Sequence, residues 1–303
     1  MKSIDTILNK AINYNKYGQI FCILLILFSI TVLFFNYQNT GEFITKGIDF
    51  TGGSEAEIYL DKNILVSSDV ILNLNEQFSL IDEDKEADVR FSTSATSNSI
   101  HITTKNPIET KEIISVLKDN NIEVTKENIQ QNYISSGLSE NFLKQAQKAL
   151  LVALLAMALV IFISFRVLAP SLGIMLAAIC DILFTVAIMS ILEIKLTIAS
   201  LTGLLMLIGY SVDTDVLLTT RLLKRRYEGT INSQILSSMK TGITMTLTTI
   251  VSLLVLYIFA GDTKIGEIAI VIMIGLVGDL PFTWFQNVGI LKRYLKNKNK
   301  NKK

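Results

Sequence analysis

Asp213 and Asp215 sit inside a helix-length run that is apolar from Leu196 to Val212 and apolar again from Val216. A carboxylate at the centre of a bilayer costs roughly 2.5–3.5 kcal/mol on insertion scales, so acids kept there mark chemistry, and proton relays are a common use. Two more acids share the setting. Asp181 follows Ala177-Ala178 and precedes Thr185, and Asp279 lies two residues before Pro281, where a helix should break or kink. Acids on three different apolar helices are expected to converge on a common interior. Desolvation and a neighbouring cation pull the protonation of a carboxyl in opposite directions. Lys240, at the start of the fifth apolar run, is the candidate cation. Thr241, Thr244, Thr246, Thr248 and Thr249 follow it and are expected to face inward. The expected relay is therefore Asp213, Asp181, Asp215, Lys240 and Asp279; the alternative is protonated acids that only hold helices together.

Residues two apart on a helix lie about 200° apart, so Asp213 and Asp215 cannot share a face. Asp213 lines up with Gly209, Met206, Gly203, Thr202 and Ala199, mostly small residues that let another helix approach closely. Asp215 lines up with Ser211, Ile208 and Leu204, nearer the basic end at Arg221 and Lys224-Arg225-Arg226. Asp213 is the expected packed, titrating group, and Asp215 is expected to lean toward water.

The elements that must position these acids follow from hydropathy. Half of the 303 residues are apolar and the net charge is +1, but the sequence is segregated. Apolar runs long enough to span a bilayer fall at 19–35, 147–165, 170–191, 196–219, 241–260 and 266–290. The first lacks a small-x-small cleavage pattern and reads as an uncleaved anchor. The division expected is a terminus and first span over 1–36, an α+β domain over 37–146, a five-helix bundle over 147–291, and a low-complexity, disordered basic tail over 292–303. Lys and Arg gather at both termini, Arg166, 221–226 and Lys240, whereas the short loops of the other side hold only Lys195 and Lys264. Both termini are therefore expected in the cytoplasm and residues 37–146 outside the cell membrane.

Within the polar block, GSEAEIYL at 53–60 alternates as a strand, Val70, Ile71, Leu74 and Phe78 follow helical spacing, and 87–94 and 98–105 read as a hairpin. A helix opened by Pro107 follows. A last strand is expected from Ile122 through Ile134. The order β-α-β-β-α-β predicts a ferredoxin-like split fold. The acidic run at 82–88 reads as a solvated loop.

Function classes fall away quickly. Cys22 and Cys180 both lie in apolar runs, which excludes a disulfide scaffold. His101, the single histidine, lies on a polar strand face without Cys, His or acidic company, so no metal and no cofactor is expected. No H-E-x-x-H, Walker lysine loop or nucleophile elbow occurs. An intramembrane aspartyl protease would need Tyr-Asp and Gly-x-Gly-Asp where this chain has Cys180-Asp181 and Leu276-Val277-Gly278-Asp279. The chain is not expected to be an enzyme, nor to bind nucleic acid.

The stretch GIDFTGGSEAEI at 47–58, with Gly47, Asp49, Gly52 and Gly53, resembles the opening signature of the SecF family of protein-export membrane proteins. CDILFT at 180–185 and IGYSVDTDVLLTTR at 208–221 resemble that family's third and fourth membrane helices, and the likeness runs through nearly the whole chain. Aligned through Arg221, Asp213 takes the position of the membrane aspartate typical of SecD, while the acid of bacterial SecF falls on Thr214. The VDTD form and the TLTT run are similar to archaeal members. The resemblance implies a six-helix fold like half of an RND-type transporter, with the proton-motive force as driver. Its implied partners are a separate SecD-like subunit, the Sec translocon, translocating polypeptide and membrane lipids. An RND-like exporter of lipids or small molecules is the second reading, weakened by the single small outside domain.

Overall fold

A computed structural model describes residues 15–64, 66–82, 87–95, 97–224, 230–261 and 263–300. Lys2, Lys10, Arg225, Arg226 and the last three tail residues, on which part of the orientation argument rests, lie outside them.

Six helices are long and apolar enough to cross a membrane. The first, α1 (Asn15–Thr40), leads into a single helical turn, α2 (Ile48–Thr51). Then come β1 (Gly53–Leu60), α3 (Ser68–Ile81), β2 (Ala87–Thr93), β3 (Asn98–Thr104), α4 (Thr110–Asp119) and β4 (Ile129–Ile134). The remaining spans are α5 (Ser136–Phe165), α6 (Leu168–Ile191), α7 (Ile198–Lys224), α8 (Ile231–Ala260) and α9 (Lys264–Pro281). A π-helical segment, Phe282–Asn287, joins α9 to α10 (Val288–Lys300). Their outward faces carry bare Ile, Leu and Phe side chains, among them Ile20, Leu24 and Phe259, as helices bathed in hydrocarbon should.

The four strands form one antiparallel sheet in the order β2-β3-β1-β4, the expected split arrangement. Alternation along β1 sends Ala56, Ile58 and Leu60 toward α3 and α4, where Leu74, Phe78, Ile113 and Leu117 close a small core. The same alternation turns Glu55, Glu57 and Tyr59 to the opposite face. Residues 122–124 are not in a strand, contrary to expectation; a 3-10 turn at Lys126–Asn128 intervenes and the last strand starts at Ile129. Only there does the backbone lie beside β1.

The polar sheet face rests on one end of the membrane-helix bundle. Lys195, between α6 and α7, reaches Asp88 of β2 at 2.6 Å. The Arg90 guanidinium donates to the Glu193 carbonyl at 3.1 Å, and Lys264 at the start of α9 reaches Glu55 at 3.2 Å. The signature turn adds main-chain ties: Gly47 N–H donates to the Leu196 carbonyl at 2.7 Å, and Leu196 N–H to the Thr45 carbonyl at 2.8 Å. Gly53 has φ +133°, and a Cβ there would sit 2.7 Å from the Thr104 carbonyl oxygen, so only glycine fits.

The tail is not disordered through its described part, since 292–300 continue α10. Leu291 and Leu295 are buried against Leu218, Leu222 and Trp284. Two leucines one turn apart anchor a helix whose remaining positions are mostly lysine and asparagine.

Candidate functional site

In the bundle interior, α6, α7, α9 and the π-helical segment bring together Asp181, Asp215 and Asp279, at 1%, 0% and 0% exposure. Hydroxyls join them. Ser211 Oγ lies in hydrogen-bond contact with Asp181 Oδ2 and 2.8 Å from Asp279 Oδ1. Thr283 Oγ1 lies 2.9 Å from both Asp215 Oδ1 and Asp279 Oδ1. Thr214 Oγ1 is 3.1 Å from Asp279 Oδ2, and Asn287 donates its amide N–H to Asp215 Oδ1 at 2.8 Å.

The geometry constrains where protons sit. Each bridging hydroxyl has one hydrogen, so it donates to one carboxyl and must accept from the other. Ser211 and Thr283 both touch the same oxygen of Asp279. With Asp279 ionised, both hydroxyls donate to it, and Asp181 and Asp215 must each carry a proton to donate back. A proton placed on that oxygen of Asp279 satisfies only one bridge, so a second is still needed. Two protons among three carboxyls is the smallest number that makes every bridge a hydrogen bond. One oxygen each of Asp181 and Asp215, with the Thr219 hydroxyl one turn beyond Asp215, is buried and has no hydrogen-bond partner among the described residues. Such oxygens are where protons can be taken up.

The backbone explains the convergence. Pro281 has no N–H, and the helix widens to a π-helix directly after it, a feature common at functional sites. Asp279 and Thr283, four apart, then face Ser211 and Thr214, while Asn287 comes round to Asp215. Close helix approach needs glycine: a Cβ on Gly275 of α9 would lie 2.2 Å from Leu207 of α7, and one on Gly278 would lie 2.4 Å from Phe184 of α6.

Two expectations about the aspartates are reversed. Asp213 is exposed on the bundle surface, beside exposed Met206, Gly209 and Tyr210, whereas Asp215 is the packed one. The two faces are separated as helical geometry requires; the small-residue stripe points outward at Gly209, where nothing lies within 4 Å of a would-be Cβ. Lys240 is half-buried on α8, and among the described residues no Lys or Arg forms an ion pair with Asp181, Asp215 or Asp279. Of the threonines after Lys240 only Thr246 is buried, its hydroxyl without a hydrogen-bond partner among the described residues. Thr244, Thr248 and Thr249 donate to carbonyls of their own helix, four residues back, which threonine does readily. Thr241 likewise donates to the Ser237 carbonyl at 3.1 Å and also accepts from Arg221 at 3.2 Å. The sequence places Ser211 on the face of Asp215 and Thr214 beside it without marking either as a ligand of the acids, and nothing in it singles out Thr283 or Asn287.

The signature-turn residues lie elsewhere. Asp49 is buried, and its Oδ2 accepts from the Ile198 N–H, the first residue of α7, at 2.8 Å. His101 does have acidic company, which lies across the sheet. Glu57 is its ladder partner, with Oε1 3.9 Å from His101 Nδ1, and Glu55 is close by.

The family model for the C-terminal region of protein-export membrane proteins SecD and SecF matches residues 114–297. Curated SecF proteins match over most of their length. One from Pyrococcus furiosus is 35% identical over 89% of this chain and 88% of its own, and one from Methanocaldococcus jannaschii is 37% identical over 83% and 88%. The chain belongs to the SecF family. Among solved structures, this SecF-family fold superimposes on the crystal structure of Thermus thermophilus SecDF, described as translocon-associated. The TM-score is 0.74 at 17% identity, covering 94% of this chain and 38% of that one. The fold is thus that of roughly one part of a longer SecDF chain.

Proposed function

We propose that the chain is the SecF subunit of the protein-export machinery and uses the transmembrane proton gradient to move its sheet domain against emerging polypeptide. The observation that carries this reading is the three-aspartate cluster, whose hydrogen bonds require shared protons and whose central helix α7 is held by the sheet domain through Asp49. Gaining or losing a proton changes which hydroxyl donates to which acid and so repacks α6, α7 and α9. One elementary charge crossing 100 mV releases about 2.3 kcal/mol, enough to shift two domain orientations by roughly fifty-fold.

The partner on this reading is a separate SecD-like chain. The exposed face of α7 around Asp213, Gly209 and Met206 suits a second helical bundle, which would take Asp213 out of lipid. Sec translocon, translocating polypeptide and surrounding lipid complete the setting, with residues 37–146 outside the cell membrane and both termini in the cytoplasm. Three spans carry the cluster, and the division into residues 1–36, 37–146, 147–291 and 292–303 is retained as a functional one. A hydrolytic role is disfavoured because all three carboxyls are sealed from any scissile bond.

The test is reconstitution into vesicles with a SecD relative and the translocon. Imposing a proton gradient should raise the yield of translocated polypeptide, and collapsing it should return the yield to that of vesicles without this chain. A yield indifferent to the gradient would remove the proton-driven reading.

A further inference from the structure

Above the ends of α6, α7 and α9, the polar sheet face roofs a cavity of about 410 Å³, apart from the three-aspartate cluster. Glu55, Glu57 and His101 all line it, and one donor atom from each lies within 4.8 Å of the others. Their proximity follows from the ladder, since Glu57 pairs with His101 and Glu55 points to the same face two residues earlier.

Glu57 is 7% exposed, and its two oxygens differ. Oε2 accepts from the Tyr59 hydroxyl at 2.9 Å. Oε1 has no hydrogen bond among the described residues and lies 3.9 Å from His101 Nδ1. A deeply held carboxylate oxygen is thus aimed at an imidazole nitrogen across a gap that neither closes.

We propose that Glu55, Glu57 and His101 bind a borderline divalent cation of the Zn²⁺ class. One nitrogen and two carboxylate oxygens are a donor set that Zn²⁺ accepts, with a fourth position open to the cavity. Bonds of about 2.0–2.2 Å place neighbouring donors roughly 3.3 Å apart, so the three side chains need to close by little more than an ångström. The imidazole selects against Mg²⁺ and Ca²⁺, which prefer oxygen alone. Lys264 holds Glu55 at 3.2 Å and competes with the cation for it. Binding therefore loosens one of the ion pairs that seat the sheet domain on the membrane helices.

The chain has a single histidine, which makes the test clean. Full-length protein, purified in detergent without a histidine tag, is titrated calorimetrically with ZnCl₂. One Zn²⁺ per chain is expected, with affinity reduced about tenfold or more in His101→Gln and increased in Lys264→Gln. As a check that needs no variant, wild-type protein loaded with one Cu²⁺ should show imidazole nitrogen coupling in pulsed electron paramagnetic resonance. Absence of Zn²⁺ binding, equal affinity in His101→Gln, or Cu²⁺ without imidazole coupling would each overturn the site.

Discussion

Asp49 Oδ2 accepts a hydrogen bond from the Ile198 backbone N–H at 2.8 Å, joining the first turn of the sheet domain to the first residue of the helix that carries Asp215. The first N–H groups of a helix have no partner within it, and a carboxylate there also meets the positive end of the helix dipole. One side chain thus ties the domain that would move to the helix that would be driven. Asp49→Ala should cost about 0.5–2 kcal/mol of thermal stability and reduce gradient-driven translocation while leaving α7 inserted. Unfolding midpoints and translocation yields on the same preparations check this; full translocation with a lowered midpoint would make Asp49 merely structural.

The positions of Asp215 and Asp213 separate two roles that the sequence runs together. Asp215→Asn removes a titrating group from the interior yet keeps a hydrogen-bonding side chain, so translocation should fall to the level without a gradient while membrane abundance holds. Asp279→Asn should behave alike. Asp213→Asn, on the exposed face, should instead weaken co-purification with a SecD-like chain. Equal effects of Asp213→Asn and Asp215→Asn on translocation, with pairing intact in both, would contradict this division.

Thr283 is the only bridge between Asp215 and Asp279 among the described contacts, and its hydroxyl is 2.9 Å from each. Thr283→Val keeps the shape and deletes the hydroxyl, leaving two buried carboxyls each short of a partner. A loss of about 1–3 kcal/mol follows from stranding such groups. Thr283→Ser should restore both stability and translocation. Denaturation in detergent, followed by tryptophan fluorescence from Trp284 next door, reads the change; an unperturbed Thr283→Val protein would refute the bridging role.

Why the sequence located the acids but misassigned two of them is a matter of what periodicity encodes. Hydropathy marks spans because lipid demands it, and alternation marked β1, β2 and β3 because one sheet face is buried. Helical geometry also separated Asp213 from Asp215 correctly. It could not say which face met protein, since both lipid and protein interiors accept Gly209, Met206, Ile208 and Leu204. Contacts that decide the matter come from 30 to 72 residues away, as with Asp181 to Ser211 and Asp215 to Asn287. The π-helical segment after Pro281 is likewise legible only as a break, not as the widening that swings Asn287 inward. The acidic neighbours of His101 are hidden for a simpler reason: they lie across a ladder whose register the sequence leaves open.

Seating of the sheet domain should be insensitive to pH near neutrality and weaken only in acid. Burial pushes the Asp88 carboxyl up, but Lys195 at 2.6 Å, helped by Arg90, outweighs it and leaves the group below the ordinary carboxylate value. A group with a depressed folded value contributes its full stability above the unfolded value, near 3.9, and loses it as pH falls through the folded one. The contact is therefore intact from pH 5 to 7 and fades below about pH 4. Because Asp88 is 40% exposed, its share is small, within about 1 kcal/mol, and screened by salt. Asp88→Asn should lower the melting temperature slightly at pH 7 in low salt, and the gap from wild type should narrow as pH falls below about 4. Hydrogen exchange at 192–197 should rise in the variant at pH 7 to the extent that these residues are held by the ion pair. A gap that widens toward pH 3 would mean that Asp88 carries a proton in the folded protein, the opposite of what its two cations impose.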